Sequence, residues 1–276
     1  MGDVSHALKQ AARHPGLSMV VIVMLAVGIG ATTAVYSVFH EIVVRPLPVP
    51  EPERLVNLGA PGVKPGSTSC SFAGDCSQVF SYPMFRDLEA RQTVLSGVGA
   101  HSDFDVNLAH DGHSLSALGL LVSGGYFSAL NLTPAQGRLI GPQDEARTGE
   151  SAVVVLSHDY WSSQLRADEN VVGRTLTVNG RALTIVGVAP EGFAGTTIGV
   201  RPKVFVPVTM RGLMEPNVPS GSSEDRRAYW LYLFGRLAPG VSVEQATAEL
   251  DSIYTGILNN VEAALQVDIS AEDLQR

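Results

Sequence analysis

The longest hydrophobic pattern lies near the N-terminus. From Leu17 to Phe39 the chain runs for 23 residues without a charge. As a helix such a run extends about 34 Å, enough to cross a bilayer core of roughly 30 Å with some tilt. Lys9 and Arg13 precede it, and Glu41 and Arg45 follow it. A cleaved signal peptide is the competing reading, with a basic leader and Ala34 as a cleavage position. Its apolar core would hold only about 7–15 residues, so the expectation is a retained transmembrane helix over 17–39. Ala26, Gly30 and Ala34 recur every four residues within it. Small side chains at that spacing leave a groove that suits close packing of a second helix. Ahead of the span, Val4, Ala7, Leu8, Ala11 and Ala12 fall at helical spacing, with Lys9, Gln10 and Arg13 elsewhere on the wheel. Residues 1–16 are expected to form a short cytoplasmic amphipathic segment on the membrane surface, ended near Pro15. A frayed basic leader is the alternative.

Beyond the span, Pro46, Pro48, Pro50 and Pro52 alternate, which predicts a stiff, extended stalk over 40–52. A stretch rich in Gly, Ser and Pro follows from Pro61 to Gly74. Ser81–Arg91 reads as a helix, with Ser81 as cap and Pro83 in the first turn. Val94–Ala109 and Ser114–Ser123 read as strands, and Tyr126–Leu130 as a short helix. Ala152–Leu156 is a buried-strand run, followed by a helix over Ser157–Leu165. Arg174–Val178 and Ala182–Val188 alternate around Asn179–Gly180, the strongest hairpin signal in the chain. Lys203–Val208 and Tyr229–Leu237 are further strands, with a loop over Met214–Arg227 between them. Val241–Leu265 reads as a long amphipathic helix capped by Ser242, with Val243, Ala246, Leu250, Ile253 and Ile257 on its sheet-facing side. Helices and hairpins are interspersed, so the fold class is α+β.

Composition narrows the function. A net charge of -8 argues against a general nucleic-acid binder, because phosphate recognition needs a basic surface. Basic residues tie across the span, with Lys9 and Arg13 against Arg45 and Arg54, so the positive-inside rule is nearly silent. From Glu41 onward there is no second long apolar run. The long acidic part must then lie on one side, and the reading places it outside with the N-terminus in the cytoplasm. The only cysteines are Cys70 and Cys76. In an oxidising compartment they would close a small disulfide loop, which is the favoured reading. In the cytosol they would be free thiols or half of a metal site, with no further cysteine and no nearby histidine to complete it.

Residue patterns that carry chemistry are few. There is no G-x-x-x-x-G-K-[ST] loop, and Gly62 and Gly66 do not supply one, so nucleotide energy would have to come from a partner. Ser157, His158 and Asp159 adjoin in sequence, but neighbours on a helix do not face one another, so a capped helix start is the expectation. Asp103, Asp105 and Asn107 begin like a calcium loop, yet Leu108 stands where glycine is needed and Ser114 where a bidentate acid belongs. His110 and His113 flank an expected solvated turn at Gly112, with no third ligand apparent in the sequence. Tyr160 and Trp161 suit packing better than a ligand platform. No catalytic, cofactor-binding or metal residue is assigned.

Several segments in order then resemble a known family. They are ALKQAARHPG (Ala7–Gly16), LAVGIGATTAVYSVFHEIVVRPLPVPEPERLV (Leu25–Val56), SYPMFRDLEA (Ser81–Ala90) and VSGGYFSALNLTPAQGR (Val122–Arg138). VVVLSHDYWSSQL (Val153–Leu165), VVGRTLTVNGRALTIVGVAPEGFAG (Val171–Gly195) and WLYLFGRLAPGVSVEQATAEL (Trp230–Leu250) complete the set. Together they resemble the N-terminal part of MacB-like or FtsX-like ABC transporter permeases. The resemblance implies a periplasmic core domain over 53–276, with a porter-like part from 53–131 and 227–276 and an inserted subdomain over 132–226. It implies residence in the bacterial inner membrane and work as a homodimer or with other permease subunits. It also implies an ABC-type ATPase subunit and a periplasmic adaptor as partners, with ATP hydrolysis coupled to periplasmic movement for export. Three later transmembrane helices belong to the pattern and do not occur before Arg276, so the expectation is a permease subunit or an N-terminal fragment of one. The porter-like part is likewise expected to miss its final strand, for which Val267–Ile269 is a very short candidate. A single-pass, membrane-anchored binding or sensor module is the alternative.

Overall fold

The computed structural model describes residues 15–39, 47–62, 64, 66–71, 73–110, 112–218 and 223–262. The chain divides into two units, Met1–Leu47 and Pro48–Arg276. In the first, helix α1 spans Pro15–Phe39. Pro15 opens it, where the missing N–H costs nothing. Its stretch Ser18–Ser37 is long and apolar enough to cross a membrane, the only such helix among the described residues. Met19, Ile22, Met24, Ile29 and Val35 are all exposed, as contact with lipid would require. Thr32 Oγ1 donates to Gly28 O at 2.9 Å, so its hydroxyl is satisfied within the helix. The surface helix expected before Pro15 lies outside the described residues, as do the Val267–Ile269 strand candidate and the end of the helix read to Leu265.

The second unit does not begin as an extended stalk. Residues 40–46 of that expected segment lie outside the described residues. Residues 48–51 bend, Glu51 is left-handed at φ 47°, and Pro52–Arg54 form a 3-10 turn. Proline fixes φ but leaves ψ free, so alternating prolines do not prevent a corner.

Strands β1 (Leu55–Leu58), β2 (Ser67–Thr68) and β3 (Phe80–Ser81) come next, followed by helix α2 (Tyr82–Arg91). Ser81 Oγ accepts from Met84 N at 3.3 Å, and α2 buries Met84, Phe85 and Leu88. Strand β4 (Leu95–His110) and β5 (His113–Val122) form a long hairpin, then α3 (Tyr126–Ala129) and β6 (Gln136–Gly137) follow. Next come β7 (Val153–Leu156), α4 (His158–Gln164), β8 (Thr175–Val178), β9 (Arg181–Val188), β10 (Val204–Pro207) and α5 (Arg211–Met214). Strand β11 (Ala228–Leu237), helix α6 (Val243–Ile257) and a π-helical turn Leu258–Glu262 close the described chain. The short strands β1, β2, β3 and β6 carry too few residues for a periodic signal and were not expected.

Pairing organises these strands in two ways. On one side β11 lies between β1 and β4, antiparallel to both, in an open sheet. On the other, β4, β5, β10, β7, β9 and β8 pair in that order, and β8 returns to β4 through Leu108↔Val178 and Ala109↔Thr177. These six strands therefore form a closed ring, which leaves no open edge within it. Phe104, Val106, Leu108, Val154, Leu156, Leu176, Val178, Leu183, Ile185, Val204 and Val206 are buried and belong to one core cluster. Asp105 and Asn107, between the buried positions of β4, are exposed. The run that began like a calcium loop is thus the outward half of an alternating strand.

The Asn179–Gly180 turn has φ of 48° and 77°, as a two-residue hairpin requires. Asn179 also does what the dipeptide alone does not reveal. Its Oδ1 accepts from Asn107 N at 2.7 Å, and its Nδ2 donates to Asp105 O at 2.9 Å and Met214 O at 2.8 Å. Helix α6 begins with the expected cap, since Ser242 Oγ accepts from Gln245 N and Gln245 Oε1 accepts from Ser242 N. Its inward face differs at one position. Ala246 and Ile257 are buried and Leu250 and Ile253 pack on the core, but Val243 is 51% exposed at the helix start.

His101 sits where the two pairings of β4 meet, opposite Tyr232 of β11 and Val122 of β5. Tyr126, Tyr232 and Phe234 surround its ring at centroid distances of 5.9 to 6.1 Å. Burial lowers its pKa to about 4, so the imidazole is neutral in the folded protein. Between about pH 4 and pH 6.5 the unfolded chain binds the proton that the folded chain refuses. This contribution is therefore present above pH 6.5 and is lost as pH falls toward 4. Urea titrations followed by tryptophan fluorescence should show a loss of about 2 kcal/mol between pH 7 and pH 5 from this group. The His101→Phe variant should lack that part of the pH dependence.

A second expectation concerns Gly187 of β9. A Cβ there would lie 2.1 Å from Arg138 O and 2.7 Å from Gln136 O. Gly187→Ala should therefore part β6 from β9 and destabilise the protein by about 1–3 kcal/mol, read as a lowered Tm.

Candidate functional site

Cys70 and Cys76 are joined in the structure, with Cα atoms 5.0 Å apart. The loop they close wraps the Tyr232 hydroxyl, which donates to Gly74 O at 2.9 Å and accepts from Ser71 N at 3.3 Å. Asp75 Oδ1 accepts from Ser77 N at 2.7 Å and starts the following 3-10 turn, and this hydrogen bond keeps its carboxyl below the usual range. Lys64 Nζ donates to Ala60 O and Ser77 O, and burial pulls its pKa down. The loop is thus fastened to β11 by a phenol and to the preceding chain by an ammonium. Ala26, Gly30 and Ala34 stand on α1, all exposed.

The other candidate groups resolve as structural. Ser157 caps α4 by accepting from Tyr160 N at 3.2 Å. Asp159 instead pairs with Lys203 at 2.5 Å, which lowers its pKa. His158 stacks edge-on against Trp161 at 5.2 Å. Tyr160 is buried, and Trp161 Nε1 donates to Asp168 O at 2.9 Å. His110 and His113 are opposite one another at the end of the β4–β5 hairpin and line an open cleft with Arg166 and Arg174. Among the described residues no group of three or more His, Cys, Asp or Glu gathers as metal ligands.

The prominent polar features are ones that sequence reasoning missed. They join different elements of the fold. Arg236 on β11 is only 6% exposed. Its Nε donates to Ala129 O at 2.7 Å, its Nη1 to Glu51 O at 3.0 Å and its Nη2 to Pro50 O at 2.8 Å. Arg211 on α5 is equally buried. Its guanidinium lies 4.0 Å from the Trp230 ring centroid and bonds Glu215 at 2.9 Å, a stacked geometry that desolvated arginine favours. Arg226 bridges Asp87 of α2 at 2.8 Å and Glu262 of the π-helical turn at 3.0 Å. Burial raises the Glu262 pKa, and Arg226 opposes that shift.

A further group lies in a cleft between α2 and the turn at 142–146. Glu145 Oε2 accepts from Gly124 N at 2.6 Å, with Arg86 Nη1 4.0 Å away. Burial raises the pKa of Glu145 and of the neighbouring Glu89, which itself pairs with Arg86 at 2.5 Å. None of these groups is arranged as nucleophile, base and oxyanion donor. They are tertiary ties.

Comparison with known proteins bears on the fold and the family. The extracellular domain of the noncanonic ABC-type transporter YknZ from Gram-positive bacteria shares the fold, with a TM-score of 0.52 and 14% identity. The alignment covers 76% of this chain and 95% of that one. The periplasmic region of MacB from Actinobacillus actinomycetemcomitans aligns with a TM-score of 0.48 and 16% identity, over 67% of this chain and 84% of that one. No curated protein matches the sequence significantly. The MacB-like periplasmic core domain family matches residues 18–253, which takes in most of α1 and nearly all of the described strands and helices. The chain belongs to the MacB-like periplasmic core domain family.

Proposed function

We propose that this chain is a permease subunit, or the N-terminal part of one, of a MacB-like ABC transporter. It couples ATP hydrolysis by a partner ATPase to conformational change outside the inner membrane, in the service of export. The observation that carries this reading is the family match across one apolar helix and the sheet domain in a single chain. In this reading α1 anchors the chain with its N-terminus in the cytoplasm. Ala26, Gly30 and Ala34 receive a neighbouring helix, from a second copy or another permease subunit. The open sheet β1–β11–β4 with α2 and α6 serves as the porter-like part, and the strands between 132 and 226 as the inserted one. A periplasmic adaptor is a further partner. The role is mechanical, in keeping with a domain whose polar groups act as ties.

Two measurements test this. The full chain, purified in several mild detergents, should run on blue-native gels above the monomer and carry an ABC-type ATPase with it. A monomer alone in every detergent would count against the proposal. Separately, protein alkylated before reduction should show no modified cysteine, and Cys70 and Cys76 should react only after reductant. Two thiols reactive at the outset would place the domain in a reducing compartment and overturn the topology.

A further inference from the structure

Arg236 has a use that packing alone does not require. Its side chain is 7% exposed, and the nearest carboxylate is that of Glu51, 3.8 Å away and 55% exposed. A buried guanidinium normally ends on a well-placed carboxylate. This one spends its fork on the carbonyls of Pro50 and Glu51 and its Nε on Ala129. It therefore fixes the first residues of the second unit to the end of α3 and to β11.

The corner it holds is unusual in itself. Glu51 is left-handed, with φ 47° and ψ 58°. A non-glycine residue keeps that conformation only where its surroundings over-determine it. Here Arg54 adds the remaining restraints. Its N donates to Glu51 O at 3.1 Å, its Nη1 to Glu51 Oε2 at 2.7 Å and its Nη2 to Leu237 O at 2.6 Å. Two arginines thus bind the corner to the last two residues of β11, Arg236 itself and Leu237.

We propose that the corner at Pro50–Glu51, locked by Arg236, is the joint through which a displacement arriving along the chain from before Pro48 enters the second unit. This rests on the mechanical permease role proposed above. A flexible linker at this point would absorb a displacement by changing its own shape. A corner held by five side-chain hydrogen bonds at known atoms passes it to β11 instead. Strand β11 pairs with β1 and β4, so the whole domain would move with it. Arg236 is a positioning residue in this scheme. Lysine keeps its charge but lacks the fork that reaches two carbonyls.

Hydrogen exchange on the full-length protein in detergent tests the joint. Arg54 N–H bonds Glu51 O and Leu55 N–H bonds Pro52 O, so their exchange reports opening of the corner. In Arg236→Gln these amides should exchange at least about tenfold faster, while peptides from β7 and β9 stay within about twofold of the unsubstituted protein. Unchanged exchange at the corner would overturn the proposal. If Arg236→Gln opens β7 and β9 as well, Arg236→Lys decides. A selective rise at the corner supports the joint, and any other pattern in the lysine variant removes it.

The transmission itself is read in the complex with the ATPase. ATP should alter exchange in the β7 and β9 peptides of the unsubstituted protein. In the variant with the selectively opened corner that response should fall at least about threefold, with ATP hydrolysis retained. A full response in that variant would make the corner a static fastening and overturn the joint. No response in the unsubstituted protein would instead refute the permease role, and the exchange at the corner would still stand or fall on its own.

Discussion

One strand constrains the second unit more than any other element. β4 is 16 residues long and belongs to two structures at once. Its first half pairs with β11 in the open sheet, and its second half closes the six-stranded ring through β5 and β8. Its burial records the change. Val98 to Ser102 are buried without interruption, and from Phe104 the pattern alternates between buried and exposed. A strand covered on both faces has no solvent side, whereas a ring strand shows one face to the core and one to water. His101 stands at the change, neutral and enclosed by aromatic rings. The open sheet and the ring share backbone hydrogen bonds through β4, so neither can shift without bending it.

Charge is sparse in this chain, at 17% of residues, and three arginines illustrate how it is used. Arg236 gathers carbonyls, Arg211 stacks on Trp230, and Arg226 joins two carboxylates. Arg236 and Arg226 draw partners from segments far apart in sequence, while Arg211 joins α5 to β11 and to its own neighbour Glu215. Burying a charge is costly unless its hydrogen bonds are met, so each position is strongly specified by its surroundings. Such ties hold the joined elements in fixed positions.

Most of the long elements were legible in the chain. Caps at Ser81, Ser157 and Ser242 and the turn at Asn179–Gly180 start or reverse their elements as expected, because these effects act within a few residues. The alternating prolines misled at residues 48–51, since proline limits φ locally while Arg236 and Arg54 decide where the chain turns. Val243 misled in a similar way. Its place on the helical wheel is apolar, but the wheel does not say where along its length a helix meets the sheet.

The sequence by itself determined an apolar helix, an α+β domain and a likeness to one permease family. Those properties follow from hydrophobic period, capping chemistry and ordered motifs, all of which are local. Only the tertiary structure decided that β8 closes a ring onto β4, that His101 lies at the junction, and that Arg236 meets Pro50 and Glu51. Arg236 and Glu51 are 185 residues apart in the chain. No local preference reaches across that distance. The packing of whole elements brings such residues together, and the need to satisfy a buried guanidinium then fixes them there.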